Sequence, residues 1–346
     1  MSQNTLKVGL LGCGHISRDH LVAWSRCEDA KVVAVCDPMR DRAAAQAEAF
    51  GIEQVFTDPV AMMTSGALDA VDIVTPRGTH AAMIRLAADN GLHALCEKPL
   101  CPTLAEAEEL VAEIGGRIRV MVNENWRYRA YFAQIREWME SGRVGTVTQA
   151  RMALWRSNML ERPDGIIPSL SRQPFVANEE RLLVAESLIH ELDTVRSLFG
   201  EMHVVASRLS RYSERVIGED AAAILLEADA GHAVIVEGVM TSAGHTFRAP
   251  NRLEIAGTRC SVTLDDAVLR LHGAEEETIR YVEDDVRQGC FDAAIAHFVE
   301  GLATGEPFKT SASDQLNTLK LVEDVYASAG ALRRPSVAAT VESVPA

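Results

Sequence analysis

The sequence lacks any long apolar run. No uninterrupted stretch approaches the roughly 20 residues a helix needs to cross a bilayer. The opening MSQNTLK also lacks the charged-then-apolar pattern of an export signal before VGLLG begins a strand. Basic charge is short as well: 34 Lys and Arg stand against 49 Asp and Glu, a net charge of -15 with pI near 5.2. That balance argues against nucleic acid and against a membrane surface as partners. Paired cysteines are missing too. The seven cysteines include no CxxC spacing, and Cys13, Cys36 and Cys96 fall at or near the ends of apolar runs. Neither a zinc site nor a disulfide framework is expected, and no metal; reduced, mostly buried thiols in a cytoplasmic protein are. Cys101 and Cys290 carry no local pattern of a nucleophile. No internal repeat is evident.

What is present suits a globular enzyme in size. The 346 residues, 47% hydrophobic and 24% charged, are comfortable for two domains. Up to residue 122, apolar strands at 7–11, 32–36, 70–75, 94–97 and 119–122 alternate with helical stretches such as 40–50 and 79–91, the second stopped by Gly91. This is the pattern of βαβ units and a parallel sheet covered on both faces. Beyond it, a helix over 131–145 closes at Gly142. Runs at 146–155, 221–242 and 251–273 then read as strands joined by short Gly or Asp turns, an antiparallel sheet, and the tail from Cys290 returns to helix. The expected domains are 1–122 and 123–346, with the cleft between them as the default ligand site.

Gly12-Cys13-Gly14-His15-Ile16-Ser17 follows the first strand and opens a helix. Gly12 permits a tight turn, and Gly14 lets backbone N–H groups approach a pyrophosphate at the positive helix end. Ser17 replaces the third glycine, small enough for close strand–helix packing. Asp37 ends the second strand near the spacing of an acid that binds a ribose 2′-hydroxyl. A carboxylate there favours NAD, while Arg40 and Arg42 just beyond leave NADP open. Further along, Glu97-Lys98-Pro99 closes the fourth of these strands at the sheet edge where such cofactors bind. Proline keeps Lys98 out of the helical region. An ammonium held there can touch the nicotinamide ribose and a substrate hydroxyl together; the plainer alternative is a surface lysine at a turn.

The stretches GLLGCGHIS, CDP, TPRGTH and GLHALCEKPL occur in this order, followed by NENWRYRAYFAQIREWMESGRVG, ESLIHELDTVRSLFG and EPFKTSASDQLNTLKLVEDVYASA. Together they resemble the Gfo/Idh/MocA family of sugar and polyol oxidoreductases over nearly the whole chain. The resemblance implies a Rossmann domain followed by an α/β domain on a large, open, mostly antiparallel sheet. One face of that sheet lines the active site and the other commonly forms an oligomer interface, so a homo-oligomer, dimer or tetramer, is expected. It implies NAD(P) held at Gly12, Gly14, Asp37, Thr75, His80, Glu97 and Lys98, with His15, Ile16 and Pro76 beside them. Two positions depart from the family pattern. Arg77 stands where Asn is usual, and Glu186 where Asp is usual.

In ESLIHELDTVRSLFG, Glu186, His190 and Asp193 stand at i, i+4 and i+7, one face of a helix, with Leu188, Leu192, Val195 and Phe199 opposite. Spacing alone also fits an amphipathic helix with a solvated polar side. The resemblance aims the polar face at the nicotinamide. It makes His190 the general base of oxidation, Lys98 the stabiliser of the developing alkoxide, and Glu186 an orienter of the imidazole or a hydroxyl ligand. Asp193 is either a substrate ligand or structural. Asn125, Trp126, Arg127, Trp155, Arg156 and Arg172 are the remaining substrate candidates, since sugars are held by aromatic faces and multidentate donors. SRQPF at 171–175, with NENWRY, is most similar to the subgroup oxidising aldose sugars, branched pentoses such as apiose included. The expected activity is dehydrogenation of a sugar or polyol hydroxyl. The alternatives are NADPH-dependent reduction of a keto-sugar or imine, and a dinucleotide-binding sensor without chemistry; Lys98 and His190 both stand, which speaks against the sensor.

Overall fold

The computed structural model describes residues 5–247 and 252–334. Packing separates the chain into two compact units, one running to Arg136 and resuming over Tyr281–Lys320, the other Glu137–Arg280 with the chain from Leu321. The sequence pattern changes at 122, whereas the packing changes at 136 and the chain re-enters the first unit at 281.

The first unit alternates β1 (Leu6–Leu11), α1 (Ser17–Arg26), β2 (Ala30–Cys36), α2 (Arg40–Phe50), β3 (Gln54–Phe56), α3 (Pro59–Met63), β4 (Ala70–Ile73), α4 (His80–Asp89), β5 (His93–Glu97), α5 (Leu104–Ile114) and β6 (Val120–Asn123), with α6 (Ala130–Glu140) after them. The six strands are all parallel, in the order β3-β2-β1-β4-β5-β6. This is the doubly wound Rossmann arrangement, in which ligands sit beyond the carboxyl ends of the strands. The central strands read as continuous apolar runs because helices cover both faces, and every residue of β4 is buried. The expected strands are all present with small shifts at their ends, and Gly91 stops α4 at φ +67°. The three-residue β3 is too short to leave a pattern.

The second unit carries β7 (Val147–Trp155), α7 (Pro168–Arg172), α8 (Ile189–Phe199), β8 (Met202–Ser210), β9 (Ala221–Ala228), β10 (Ala233–Val239), β11 (Arg252–Gly257), β12 (Cys260–Asp265), β13 (Val268–Gly273) and β14 (Glu277–Arg280). They form one open eight-stranded sheet in the order β14-β13-β12-β11-β7-β10-β9-β8. Every pair is antiparallel except β7–β10, which runs parallel. Asn251, where the sequence reading begins a strand, lies outside the described residues. β8 and β14 are additions: burial along β8 does not alternate cleanly, and β14 is only four residues long.

The last helices are α9 (Glu283–Thr304) and α10 (Ala312–Ala329). Aromatic packing explains why α9 belongs to the first unit. Its Phe291 lies 5.2 Å from the His20 ring and its Phe298 6.3 Å from Trp24, both on α1. Full burial of each such ring stabilises by about 1.5–3 kcal/mol. Arg287 pairs with Asp19 at 2.5 Å and Arg26 with Asp292 at 2.6 Å along the same contact. Among the described residues no helix is long and apolar enough to cross a membrane.

Candidate active site

The glycine loop is built from the strand it leaves. Gly12 has φ +92°, and a Cβ there would sit 2.5 Å from the Val74 carbonyl oxygen, so only glycine fits where the loop crosses β4. A Cβ on Gly14 would meet no heavy atom within 4 Å. The loop therefore offers open space in front of its amides at the start of α1, the cradle a pyrophosphate requires. The Ser17 hydroxyl donates to the Gly14 carbonyl at 2.6 Å, which gives the serine in the third glycine position a role in holding the turn. Asp37 is buried at the end of β2. Its carboxylate accepts from the Cys13 N–H at 2.9 Å and the Met39 N–H at 2.8 Å, so it also shapes the loop it is expected to serve. His15 is exposed and Ile16 partly so. These residues fit a dinucleotide.

The other expected cofactor contacts line the same sheet edge. The Thr79 hydroxyl lies 2.7 Å from Thr75 Oγ1 and 2.8 Å from the Pro76 carbonyl. His80, expected as a direct contact, is buried, with Nδ1 2.8 Å from the Pro99 carbonyl and Nε2 2.9 Å from the Thr75 carbonyl. Its ring is a strut between two loops. Lys98 is half-buried and its peptide to Pro99 is cis.

Beneath Lys98 lies a charged cluster that the sequence reading missed. Glu97 Oε1 accepts from Asn123 Nδ2 at 2.7 Å and lies 2.9 Å from His20 Nε2, while His20 Nδ1 lies 2.8 Å from Asp72 Oδ2. Trp24 Nε1 donates to the same Asp72 oxygen at 2.7 Å. The side chains of His20 and Asp72 are wholly inaccessible. Burial by itself lowers the His20 pKa, but the charges and hydrogen bonds of Asp72 and Glu97 outweigh it and push the imidazole up to about 10. Burial likewise works against the Glu97 carboxylate, yet bonding to His20 and Asn123 holds it below the usual carboxylate range. Two signals in the sequence could have found this cluster: an aspartate inside the apolar run AVDIV, and Ser17 and His20 sharing a helix face with Leu21 and Trp24.

Other expected residues of the first unit are held within it. Arg127 donates to the Lys309 carbonyl and to Asp314, both at 2.7 Å. Trp126 carries the Arg129 guanidinium 3.8 Å from its ring centre, and Asn125 is buried in the turn between β6 and α6. Burial holds four of the thiols in the protonated form, pushing Cys13 and Cys101 up to about 12 and Cys36 and Cys290 up to about 11. Among the described residues no three His, Cys, Asp or Glu side chains are grouped to hold a metal.

In the second unit, a regular α-helix through Glu186, His190 and Asp193 is corrected. Leu183–Leu188 form a π-helical turn and α8 begins only at Ile189, so the 3.6-residue period does not run unbroken from Glu186 to His190. Glu219 holds this turn: its carbonyl accepts the Leu183 N–H at 3.1 Å and its carboxylate the Val184 N–H at 3.0 Å and the Tyr326 hydroxyl at 2.6 Å. Burial raises the Glu219 pKa. Glu186 and His190 are half-buried. A solvated polar side does not extend to Asp193, which is fully buried 3.7 Å from Arg196, itself bonded to Glu201 at 2.6 Å.

The sheet separates one candidate from this helix. A Cβ on Gly238 would meet Leu183 and Leu188 at about 3 Å, so the π turn packs on the face that Gly238 shares with its register partner Leu154. Trp155, next along β7, points to the other face, with Arg151 and Arg252 near its ring. Arg156 follows it, its N–H bonded to the Val239 carbonyl at 2.8 Å, and Arg172 is exposed at the end of α7 beside Gln173.

Comparison with known proteins agrees with this architecture. Residues 6–123 match the family described as an oxidoreductase family with an NAD-binding Rossmann fold, and residues 132–263 match the GFO/IDH/MocA C-terminal domain. The chain belongs to the Gfo/Idh/MocA oxidoreductases, enzymes with an NAD-binding Rossmann domain. It is 34% identical over 337 residues to a D-apiose dehydrogenase of Paraburkholderia graminis, covering 93% of this chain and 87% of that protein. It is 26% identical to an inositol 2-dehydrogenase of Rhizobium meliloti over 96% of this chain and all of the other. Among solved structures, an oxidoreductase from Agrobacterium radiobacter in complex with NAD+, L-tartaric acid and magnesium superposes with a TM-score of 0.87 at 28% identity, covering 94% of this chain and 96% of that one.

Proposed function

We propose that the protein oxidises one hydroxyl of a sugar or polyol with NAD, D-apiose and inositols being the first substrates to try. The observation that carries this reading is Lys98 at the carboxyl end of β5, on the same sheet edge as the glycine loop and Asp37. Similarity to an apiose and an inositol dehydrogenase supports the substrate class.

Bound NAD supplies the hydride acceptor. The protein's part is to place the carbinol and manage its proton. Lys98 presents an ammonium to the oxygen as negative charge develops there, and His190 takes the hydroxyl proton onto a ring nitrogen. Glu186 orients that imidazole or a neighbouring hydroxyl. The Asp37 carboxylate repels a 2′-phosphate, which favours NAD over NADP. A homo-oligomer is part of the same reading. Ala206, Leu225 and Ile235 are register partners across β8, β9 and β10, and Leu225 is exposed, so the row offers apolar surface to a second copy.

The test is nicotinamide reduction against a sugar and polyol panel, with NAD and NADP in parallel. Lys98→Ala and His190→Ala are each expected to lower turnover by about a hundredfold or more, with NAD affinity largely kept. Wild-type turnover in either variant removes that residue's role.

A further inference from the structure

The cluster under Lys98 ties together three neighbouring strands of the first unit's sheet. Asp72 comes from β4, Glu97 from β5, Asn123 from β6, and His20 and Trp24 from α1, the helix that the glycine loop opens. Two carboxylates accept from opposite ring nitrogens of one histidine, at 2.8 and 2.9 Å, and only an imidazolium donates to both. Glu97 then passes the constraint on. While Oε1 is held by His20 and Asn123, Oε2 accepts the backbone N–H of Lys98 at 3.2 Å. On the far side of the lysine, the Pro99 carbonyl is fastened by His80.

We propose that His20 is a positioning residue for the reaction: through the Glu97 carboxylate it fixes the backbone amide of Lys98, and with it the direction in which the lysine is presented. This rests on the acid–base reading of Lys98 for its catalytic consequence but not for its geometry. Without the imidazolium, Asp72 and Glu97 would be two buried carboxylates with no cation between them, a state proteins relieve by protonation or by turning one group away. Either change releases the Lys98 amide. The same contacts couple α1 to the lysine, so the helix that cradles the pyrophosphate and the group that meets the substrate are set by one side chain.

The variant is His20→Gln, which retains one donor and loses the charge. The chain has five lysines, Lys7, Lys31, Lys98, Lys309 and Lys320. Reductive methylation with a carbon-13 label therefore gives a short NMR spectrum, and Lys98→Arg identifies the Lys98 signal by its loss. His20→Gln is expected to shift or broaden the Lys98 signal and leave the other four in place. Turnover should fall on the order of ten- to a hundredfold, the scale of a misplaced catalytic group, with NAD affinity changed less than about threefold. In a Lys98→Ala background the same substitution should cost nothing further in kcat, because residues acting as one unit are not additive. An unmoved Lys98 signal in a folded variant, or a full additional loss in the Lys98→Ala background, overturns the proposal. If His20→Gln does not fold, Asp72→Asn carries the same test, since it removes the other carboxylate that holds the imidazolium in place and leaves Glu97 and Asn123 untouched. Wild-type turnover in Lys98→Ala would refute the acid–base reading, while the NMR result would still judge the positioning.

Discussion

The two glycines of the loop should separate when each is given a methyl group. In Gly12→Ala the new Cβ meets Val74 O at 2.5 Å and Val74 C at 2.8 Å, at φ +92°. Relaxation is blocked, because the Gly12 N–H is bonded to the Cys36 carbonyl and the Val74 N–H to the Leu11 carbonyl, both at 2.8 Å. Left-handed backbone costs a side chain about 1–2 kcal/mol. Overpacking against immobile backbone adds about 1–3 kcal/mol. The sum, about 2–5 kcal/mol, corresponds to a fall of about 5–20 °C in Tm for a unit of this size. Gly14→Ala meets nothing within 4 Å, so the apoprotein should melt as wild type or slightly higher. Its methyl instead enters the space in front of the loop amides, and NAD should bind at least about tenfold more weakly, about 1.4 kcal/mol. Thermal unfolding of the apoprotein and calorimetric NAD titration read the two effects. A Gly12→Ala protein melting within about 2 °C of wild type, or a Gly14→Ala protein with wild-type NAD affinity, would refute the assignment of turn to one glycine and cradle to the other.

Two further outcomes are expected. His20, raised from its ordinary 6.5 to about 10, contributes stability that is whole below about pH 6.5 and drains away as pH rises towards 10; Glu97, held below its ordinary 4.5, contributes stability that is lost only in acid. Unfolding free energies from urea titrations should fall by up to about 1.4 kcal/mol per pH unit between about pH 6 and pH 9 in the wild type, and by clearly less in His20→Gln; equal slopes would contradict the charged state of the imidazole. Light scattering should report more than one copy per particle, and Leu225→Glu on the open sheet face should lower that mass; an unchanged assembly would place the interface elsewhere.

Much of the candidate site was written in local spacing. The glycine loop, Asp37 and the Glu97-Lys98-Pro99 turn are short motifs whose geometry depends on neighbouring residues and on the strand each one ends. The parallel sheet of the first unit followed from period alone, because strands buried on both faces leave continuous apolar runs. The mostly antiparallel second sheet was legible from closely spaced turns, although the parallel β7–β10 pair was not. Such pairing between strands distant in sequence leaves no local mark.

What only the tertiary structure decided was where polar groups go when they are not exposed. His80 was read as a cofactor contact, and folding spends both of its ring nitrogens on loop carbonyls. Asp193 was read on a polar helix face, and folding buries it beside Arg196. The π turn before α8 is held by Glu219, from the loop before β9, which is itself bonded by Tyr326 of α10. The return of α9 to the first unit depends on Phe291 and Phe298 meeting α1. A sequence determines by itself what depends on a residue and its nearest neighbours. Burial and charge pairing depend on which distant segments arrive, and that is settled only when the whole chain has packed.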